Sequence, residues 1–310
     1  MIPEPPAPFL ALRPSMADAG EIAELITALD RVRGVLEETT EADVRRDWAE
    51  TDFATDAVAV RDGDRLVAFG VAERTPTGGF FDGYVHPDSV GHGLGRYLIR
   101  TLEPHARELG EGPTVRTTVS LTDDDAHRLL EAEGYRPVRR WLRMLVDLDA
   151  EPIVPEIPGV EIRPLRPGEE RAFHDVFERS FAAHWDHVPG PFEEWWPKLV
   201  ERSGGDLSLL FVAERAGAIV GETSGLRERY RMGWVGTVGV VPEARGLGIG
   251  RALLLHQFAS QWERGQRRVG LGVDAGNETG ATRLYESVGM TSPWGAVAYE
   301  KELAGGTVSS

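Results

Sequence analysis

Two short glycine-rich segments constrain this chain more than any other feature of its sequence. Residues 242–250 read PEARGLGIG and stand between a strand-like run over 234–241 and a helix-like run that begins at Arg251. Residues 87–95 read PDSVGHGLG and stand in the same position in the first half of the chain. Alternate glycines between a strand and a helix expose consecutive backbone N–H groups at the positive end of the helix. Each segment therefore predicts a cradle for a phosphate or a pyrophosphate.

The two segments belong to an internal repeat with a long period. Pro87 and Pro242 are 155 residues apart, as are Gly134 and Gly289, and the three glycines of each segment keep the same interval. A repeat of this length predicts two domains of similar fold, for which 310 residues are sufficient. The predicted divisions are a first domain over 1–148, a linker over 149–159, a second domain over 160–303 and a polar tail over 304–310.

Each half predicts the same order of elements: a strand, two helices, an antiparallel meander, then helix, strand, helix and strand. The meander hairpins are marked by turn residues at 62–64, Asp-Gly-Asp, and at 216–217, Ala-Gly. This order predicts an α/β fold of the α+β type with a mixed sheet. A doubly wound dinucleotide-binding fold is excluded, because its glycine loop follows the first strand and here the loop follows the fourth.

Composition narrows the classes of function. The chain has no cysteine, which excludes disulfides, thiolate metal sites and cysteine nucleophiles. The net charge of −16 argues against nucleic acid and anionic membranes as partners and favours a cationic small molecule such as an amine, although solubility alone is the plainer explanation. The sequence shows neither an apolar run of membrane-spanning length nor a secretory signal. These features predict a cytoplasmic protein.

Two independent motifs in the second half resemble those of the GNAT acyl-CoA N-acyltransferases. Residues 241–250, VPEARGLGIG, match the coenzyme loop Arg/Gln-x-x-Gly-x-Gly/Ala that follows Val-x-Pro. Residues 277–290, NETGATRLYESVGM, match Asn-x-x-x-Ala-x-x-Leu-Tyr-x-x-x-Gly-Phe, with Met290 in place of the phenylalanine. The likeness is close over 160–303 and looser over 9–148. It implies two tandem GNAT-like domains.

The resemblance also implies a coenzyme site in the second half. Members of this superfamily bind the pyrophosphate of acetyl-CoA on the glycine loop and its pantetheine between two splayed strands, which here are 234–241 and 269–273. Acetyl-CoA is then a co-substrate, and no metal is expected. Gly239 fits a bulge, a close approach to the thioester, or a glycine tolerated in a packed strand. The residues implied to contact the coenzyme are Val238, Gly239, Val240, Arg245, Gly246, Leu247, Gly248, Ile249, Gly250, Arg251 and Asn277.

Two residues are candidates for the chemistry of acetyl transfer. The amine must react unprotonated, and the leaving thiolate needs a proton donor. The resemblance places Tyr285 in the donor role; the alternative is a tyrosine that packs against the coenzyme. Glu222 interrupts the apolar face of a central strand, which is unusual, and is the candidate base or amine anchor. A proton relayed by water, an amine that arrives neutral, and an outward-facing Glu222 remain alternatives.

The first two helices of the second half are expected to form the wall for the acceptor, and an arginine-rich turn is expected at its mouth. Core packing of the tryptophans and a solvated arginine loop are the plainer alternatives. Two histidines three residues apart lack a third ligand of suitable spacing, so we predict no metal there. The residues concerned are Phe181, His184, Trp185, Asp186, His187, Trp195 and Trp196 in the wall, and Arg227, Arg229, Tyr230 and Arg231 in the turn.

The first half keeps the glycines of the loop but not the residues expected to do chemistry. At the interval of 155 residues, Arg245 corresponds to Val90, Tyr285 to Leu130 and Asn277 to Thr122. We therefore predict a degenerate first domain that lacks the proton donor and that can still bind acetyl-CoA without turnover. The alternative is an active first half that uses another donor.

The sequence thus predicts an N-acetyltransferase that moves an acetyl group from acetyl-CoA to a primary amine of a small molecule by direct attack, with catalysis in 160–303. A tandem layout with an inactive first half is similar to that of the mycothiol synthases, which implies the amine of a thiol–sugar conjugate as one acceptor. The competing hypotheses are a non-catalytic protein that senses or carries acyl-CoA and a purely structural duplication. Monomer and homodimer both remain open.

Overall fold

The computed structural model describes two compact units of mixed α/β structure. One unit comprises Met1–Trp141 with Trp294–Ser310, and the other comprises Leu142–Pro293. Each combines helices with a sheet that contains both parallel and antiparallel pairs, which confirms the predicted fold class. The described residues are 2–35, 38–75, 77–185, 187–276 and 280–302.

The strands and helices follow the predicted order in both halves of the chain, except that the first half has a third, short helix before its meander. The first half contributes β1 (Leu10–Leu12), α1 (Ala19–Val32), α2 (Glu41–Asp47), α3 (Phe53–Asp56), β2 (Ala57–Asp62), β3 (Arg65–Thr75), β4 (Gly78–Val85), α4 (Leu94–Leu109), β5 (Thr114–Ser120), α5 (Asp124–Ala132) and β6 (Arg136–Asp147). The second half contributes β7 (Val160–Pro164), α6 (Glu170–Phe181), α7 (Phe192–Arg202), β8 (Phe211–Arg215), β9 (Ala218–Arg229), β10 (Met232–Val240), α8 (Ile249–Glu263), β11 (Arg268–Asp274), α9 (Ala281–Glu286) and β12 (Thr291–Glu302).

The boundaries of the two units differ from the predicted domain ranges because the last strand of each half is exchanged. β12 pairs antiparallel with β5 in the first unit, with Ala296 opposite Ser120. The end of β6, from Leu142 on, belongs to the second unit, and directly after the strand the Leu148 N–H donates to the Arg267 carbonyl at 2.7 Å. A sequence repeat identifies equivalent strands, but it carries no information about which sheet an end strand joins.

Each sheet opens between two neighbouring parallel strands. The strand order is β1-β2-β3-β4-β5-β12 in the first unit and β6-β11-β10-β9-β8-β7 in the second. The parallel register of β4 with β5 covers only Gly78–Phe80, and that of β10 with β11 covers only Gly233 and Trp234. Beyond these few pairs the two strands of each unit diverge. The structure thus contains the splayed strands that the family resemblance implied.

The helices of the second unit bury the faces that their apolar spacing predicts. Leu254 and Phe258 of α8 are buried in a cluster that also contains Val269 and Leu271 of β11. Phe173 of α6 is fully buried against β8, and Trp195 and Trp196 of α7 pack against the same cluster. Trp195 and Trp196 are therefore half-buried at the edge of the core, in agreement with the plainer alternative. No helix in the described part of the chain is long and apolar enough to cross a membrane.

Candidate active site

The glycine loop of the second unit presents free N–H groups at the start of α8. Gly246 and Gly248 have φ angles of +79° and +81°, in the left-handed region that glycine adopts without strain. Gly248 is the N-cap of α8, and no side chain forms a capping hydrogen bond there. The first N–H groups of a helix have no carbonyl partner within the helix. This end of α8 therefore has the geometry of an anion site.

Arg245 fastens the loop to its surroundings. Its Nε donates to the carbonyl oxygen of Val240, and its Nη2 donates to that of Ser180, each at 3.1 Å. Arg179, one residue before Ser180 in α6, also forms an ion pair with Glu243 of the loop. The side chain of Arg245 thus positions the loop against β10 and α6. Arg251 is exposed and lines the neighbouring cleft.

A cleft of about 310 Å³ opens beside this loop, at the end of β10 that diverges from β11. Its wall combines the end of α6, the outer part of β10, the loop and α9. Leu247 is exposed at the tip of the loop and is not among the lining residues. The lining residues are Ser180, Phe181, Ala183, His184, Val238, Gly239, Val240, Ala244, Arg245, Gly246, Gly248, Ile249, Gly250, Arg251, Gly280, Ala281, Leu284 and Tyr285.

Glu222 is a fully buried carboxyl group directed toward α6. The strand register places Val212, Glu222 and Gly239 in one row across β8, β9 and β10, and Val212 packs against Phe173 of α6. Thr237 Oγ1 donates to Glu222 Oε2 at 2.8 Å, while Oε1 has no hydrogen-bond partner among the described residues. Burial raises the pKa of this carboxyl to about 8. Glu222 is therefore not the outward-facing strand residue of the plainer alternative.

Gly239 is needed because side chains approach its backbone closely. A Cβ at this position would lie 2.6 Å from Glu222 Oε1 and 3.0 Å from Ser180 Oγ. The irregularity in the pairing of β10 falls earlier, between Val235 and Thr237, so Gly239 itself is not the bulge. Ser180 was missed from the sequence. One feature of the sequence could have indicated it. Phe173 and Val176 mark the buried face of α6, and Ser180 is a polar residue on that same face.

Tyr285 lies in α9 with its ring buried against the core. It is 9% exposed, it clusters with Leu254 and Phe258, and it lines the cleft. Burial, together with the charge of Glu222, raises the pKa of the phenol to about 12. Tyr285 therefore keeps its proton at any working pH. The charge of Glu222 thus reaches the phenol of Tyr285, but only Tyr285 lines the cleft, and Glu222 lies behind Gly239.

Only some of the remaining residues predicted to contact the acceptor line the cleft. Phe181 and His184 line the cleft, whereas His187 Nε2 bonds to the Glu178 carboxylate at 2.9 Å. The arginine-rich segment 227–231 ends β9 and turns into β10, and none of its residues lines the cleft. Within the described ranges no group of three or more His, Asp or Glu side chains is placed to hold a metal ion. Asp186, Asn277 and the predicted tail 304–310 lie outside the described residues.

The first unit has a similar cleft beside its glycine loop, but its described wall has leucine at the position of Tyr285. Gly91 and Gly93 have φ angles of +88° and +81°, and α4 begins after them as α8 does after Gly248. A cleft of about 440 Å³ lies beside this loop, and no tyrosine is among its described lining residues. Leu130, at the position that corresponds to Tyr285, is buried and apolar.

Comparison with known proteins decides the family. The sequence model of the Acetyltransferase (GNAT) family matches residues 22–135 and again residues 171–290. The chain belongs to the GNAT acetyltransferase family. This GNAT protein is an N-acetyltransferase of tandem architecture, and the family uses acetyl-CoA as the acetyl donor for amine acceptors. The prediction of a tandem GNAT enzyme is confirmed.

Several named relatives are similar in sequence to this GNAT enzyme. The mycothiol acetyltransferase of Thermobispora bispora is 35% identical over 240 residues, which cover 74% of this chain and 78% of that protein. The mycothiol acetyltransferase of Thermomonospora curvata is 37% identical over 211 residues, covering 67% of this chain and 68% of that protein.

Among solved structures, a GCN5-related N-acetyltransferase from Sphaerobacter thermophilus is 35% identical, with a TM-score of 0.84 and 96% coverage of both chains. A tandem GNAT protein from the clavulanic acid biosynthesis pathway is 17% identical, with a TM-score of 0.71 and coverage of 95% of this chain and 98% of that one. At this identity, the second likeness concerns the fold alone.

Proposed function

We propose that this GNAT enzyme transfers the acetyl group of acetyl-CoA to a primary amine of a small molecule by direct attack, and that the reaction takes place in the cleft of the second unit. One observation carries the proposal. The buried phenol of Tyr285 lines the cleft beside the glycine loop, and the buried carboxyl of Glu222 lies directly behind Gly239, a residue of the same cleft wall. A base and an acid beside one activated acyl group are what acetyl transfer requires.

The residues of the second unit suit the parts of acetyl-CoA. The N–H groups around Gly246 to Arg251 would hold the pyrophosphate, and the edge of β10 over 238–240, freed where β11 diverges, would pair with the pantetheine arm and the thioester. Asn277 remains a proposed contact on the strength of its motif. Acetyl-CoA supplies an acetyl group activated as a thioester. The chain itself supplies the orientation and the proton transfers.

The proposed chemistry assigns one proton transfer to each catalytic residue. Glu222 accepts a proton from the amine nitrogen as the new C–N bond forms, and it does so in the ionised form that its environment allows near pH 8 and above. Tyr285 donates its proton to the sulfur as the C–S bond breaks. The products are the acetamide and the thiol of coenzyme A, and proton exchange with solvent restores both side chains.

The first unit is proposed to be a degenerate domain. Its loop retains the glycine geometry that suits a pyrophosphate, while Leu130 offers no proton where the second unit has Tyr285. We infer that this unit can bind acetyl-CoA without turnover. We further propose a cytoplasmic enzyme, monomeric or homodimeric. Its net charge of −16 disfavours nucleic acid as a partner.

The acceptor is proposed to be an amine of the kind carried by a thiol–sugar conjugate. The support comes from the relatives named mycothiol acetyltransferases, which are 35–37% identical to this chain. Fold does not fix the substrate, so the acceptor must be found by assay.

The test is a thiol-release assay with acetyl-CoA over a panel of small amines, which includes amino sugars carrying a thiol group. Release of coenzyme A together with an equal amount of acetylated amine is expected for at least one primary amine. A protein that only senses or carries acyl-CoA would bind the coenzyme and release no thiol with any amine, and that result would overturn the proposal.

A substitution in the loop tests the proposed pyrophosphate site. Gly246 and Gly265 both have a positive φ, +79° and +87°, and both have open space where a Cβ would stand. Alanine at either position thus introduces similar backbone strain, about 1 kcal/mol. We expect Gly246→Ala to raise the KM for acetyl-CoA about fivefold to tenfold, because the loop amides shift, and Gly265→Ala to leave this KM unchanged. Equal KM values for the two variants in steady-state assays would contradict the site.

A further inference from the structure

The cleft beside the glycine loop of the first unit is larger than its counterpart in the second unit. Its volume is about 440 Å³, against about 310 Å³. Leu98 and Ile99 of α4 line the first cleft. The residues 155 positions later in α8, Leu253 and Leu254, are fully buried and do not line the second cleft. The first cleft therefore extends further along its helix, where it has room for more of a ligand.

One missing side chain on β4 accounts for much of this difference. In the second unit, Val238 of β10 packs in the same clusters as Leu253 and Leu254 and covers them on the side of the cleft. The corresponding residue of the first unit is Gly83, which also lines its cleft. A Cβ at Gly83 would lie 3.4 Å from Leu98 Cδ1, which is ordinary contact distance. A side chain there would thus cover Leu98, and the glycine leaves it open to the cleft.

A second difference removes a polar atom from the wall. Leu130 lines the first cleft at the position where Tyr285 lines the second, and it clusters with Leu98 and Ile99. A ligand that lies along α4 therefore meets hydrocarbon. Such a wall favours an apolar group, since removal of apolar surface from water is favourable and needs no particular orientation. The apolar residues of this part of the wall are Phe81, Leu94, Leu98, Ile99, Leu129 and Leu130.

The charged side chains that line this cleft already have ion-pair partners. The pairs are Arg33 with Asp123, Arg96 with Glu133, and Asp125 with Arg128. The glycine loop offers N–H groups instead: Gly93 is the N-cap of α4, and no side chain among the described residues forms a capping hydrogen bond there. The cleft thus combines an anion site at its loop with a hydrocarbon wall along α4.

We propose that the cleft of the first unit binds an acyl-CoA whose acyl chain is longer than acetyl, with the pyrophosphate at the glycine loop and the chain against Leu98 and Ile99. The inference rests on the proposed binding of a coenzyme A thioester by this unit, and it names the acyl group. No bond forms or breaks, because the wall has Leu130 where the second unit has its proton donor. Each methylene that becomes buried tightens binding by up to about fourfold.

The experiment titrates the full chain with hexanoyl-CoA and with acetyl-CoA by calorimetry, with no amine present. The parent is expected to bind hexanoyl-CoA at least about tenfold more tightly than acetyl-CoA. Gly83→Val supplies the side chain of Val238 and is expected to remove most of this preference, while the affinity for acetyl-CoA stays within about threefold. Leu130→Tyr is a second variant with the same expectation. Ala218→Val, at an exposed strand residue that lines neither cleft, is expected to match the parent.

Urea unfolding of each variant shows that it is folded before the titration. Gly246→Ala, in the loop of the second unit, is titrated in parallel and is expected to keep the preference for hexanoyl-CoA. These two measurements separate a change at the first cleft from unfolding and from binding in the second unit.

Three results would overturn the inference. The parent could bind hexanoyl-CoA no more tightly than acetyl-CoA. The preference could persist in whichever of Gly83→Val and Leu130→Tyr is folded, so that the chain does not lie along α4. It could also be lost in Gly246→Ala and kept in Gly83→Val, which would place the longer chain in the second unit. Failure of every amine to release thiol would instead overturn the proposed function, and it would leave the binding preference of the first unit as measured.

Discussion

Replacing Tyr285 with phenylalanine is expected to lower kcat for acetyl transfer by about 10²–10³-fold and to leave the affinity for acetyl-CoA within about twofold of the parent. The substitution removes one hydroxyl from a buried ring and keeps the packing of that ring against Leu254 and Phe258. What is lost is the proton for the leaving thiolate. Thiol release at saturating substrates gives kcat, and titration calorimetry gives the affinity.

The matched control is Tyr230→Phe. Tyr230 lies in the turn between β9 and β10 and does not line the cleft, although its hydroxyl accepts a hydrogen bond from Arg229 at 2.9 Å. Its loss is expected to leave kcat unchanged. If Tyr285→Phe turned over at the rate of the parent, Tyr285 would be a residue that only packs against the coenzyme. A large loss of acetyl-CoA affinity would point to the same conclusion.

Replacing Glu222 with glutamine is expected to lower kcat/KM by about 10²–10³-fold, because the variant has no group to accept the proton of the amine. In the parent, kcat/KM should rise with pH through about 8, the pKa to which burial raises the carboxyl. The variant should lose this rise along with the rate. Glu286→Gln, an exposed carboxylate of α9, serves as the control and should keep the profile of the parent.

The same substitution should stabilise the second unit above neutral pH. In the unfolded chain the Glu222 carboxyl ionises near its ordinary pKa of 4.5, and in the folded chain it ionises near 8. Between these values the folded state holds more protons, so the stability contributed by this group is present below pH 4.5 and is lost as pH rises through 8. The loss is at most ~1.4 kcal/mol per pH unit.

Glutamine has the shape of glutamic acid and cannot ionise. The free energy of unfolding of Glu222→Gln should therefore match the parent near pH 4.5 and exceed it by about 2–4 kcal/mol near pH 8. Urea unfolding followed by tryptophan fluorescence at the two pH values measures the difference, with the transition of each unit analysed separately. Parallel pH profiles for parent and variant would show that Glu222 is not buried in its neutral form.

The glycine loop could be predicted because it depends on residues close together in the sequence, whereas the splayed strands were implied by the family resemblance. Gly246 and Gly248 have the positive φ angles that their placement before a helix implied. The strand with which each end strand pairs could not be predicted. The pairing of β12 with β5, for example, joins Ala296 to Ser120, which is far away in the sequence. Hydrophobic spacing shows that such a strand has a partner, but it does not show which.

Some side chains at the site could be predicted from the sequence and others could not. Glu222 stands out because a carboxyl group in an apolar strand is rare. Ser180 does not stand out, because a serine near the end of a helix is common. Only the structure shows that its side chain lies close to Gly239. Arg245 was implied to contact the coenzyme, and it lines the cleft; the sequence did not indicate that its guanidinium also bonds to the carbonyl groups of Val240 and Ser180. Contacts between distant segments decide such directions.

A crystal structure with acetyl-CoA bound tests the central claim most directly, since that claim concerns where the acetyl group is held. The account predicts density for the pyrophosphate against the N–H groups of 246–251, with the acetyl group between Glu222 and Tyr285. Density confined to the loop at Gly91 and Gly93, or to any other cleft, with the second unit left empty, would contradict it.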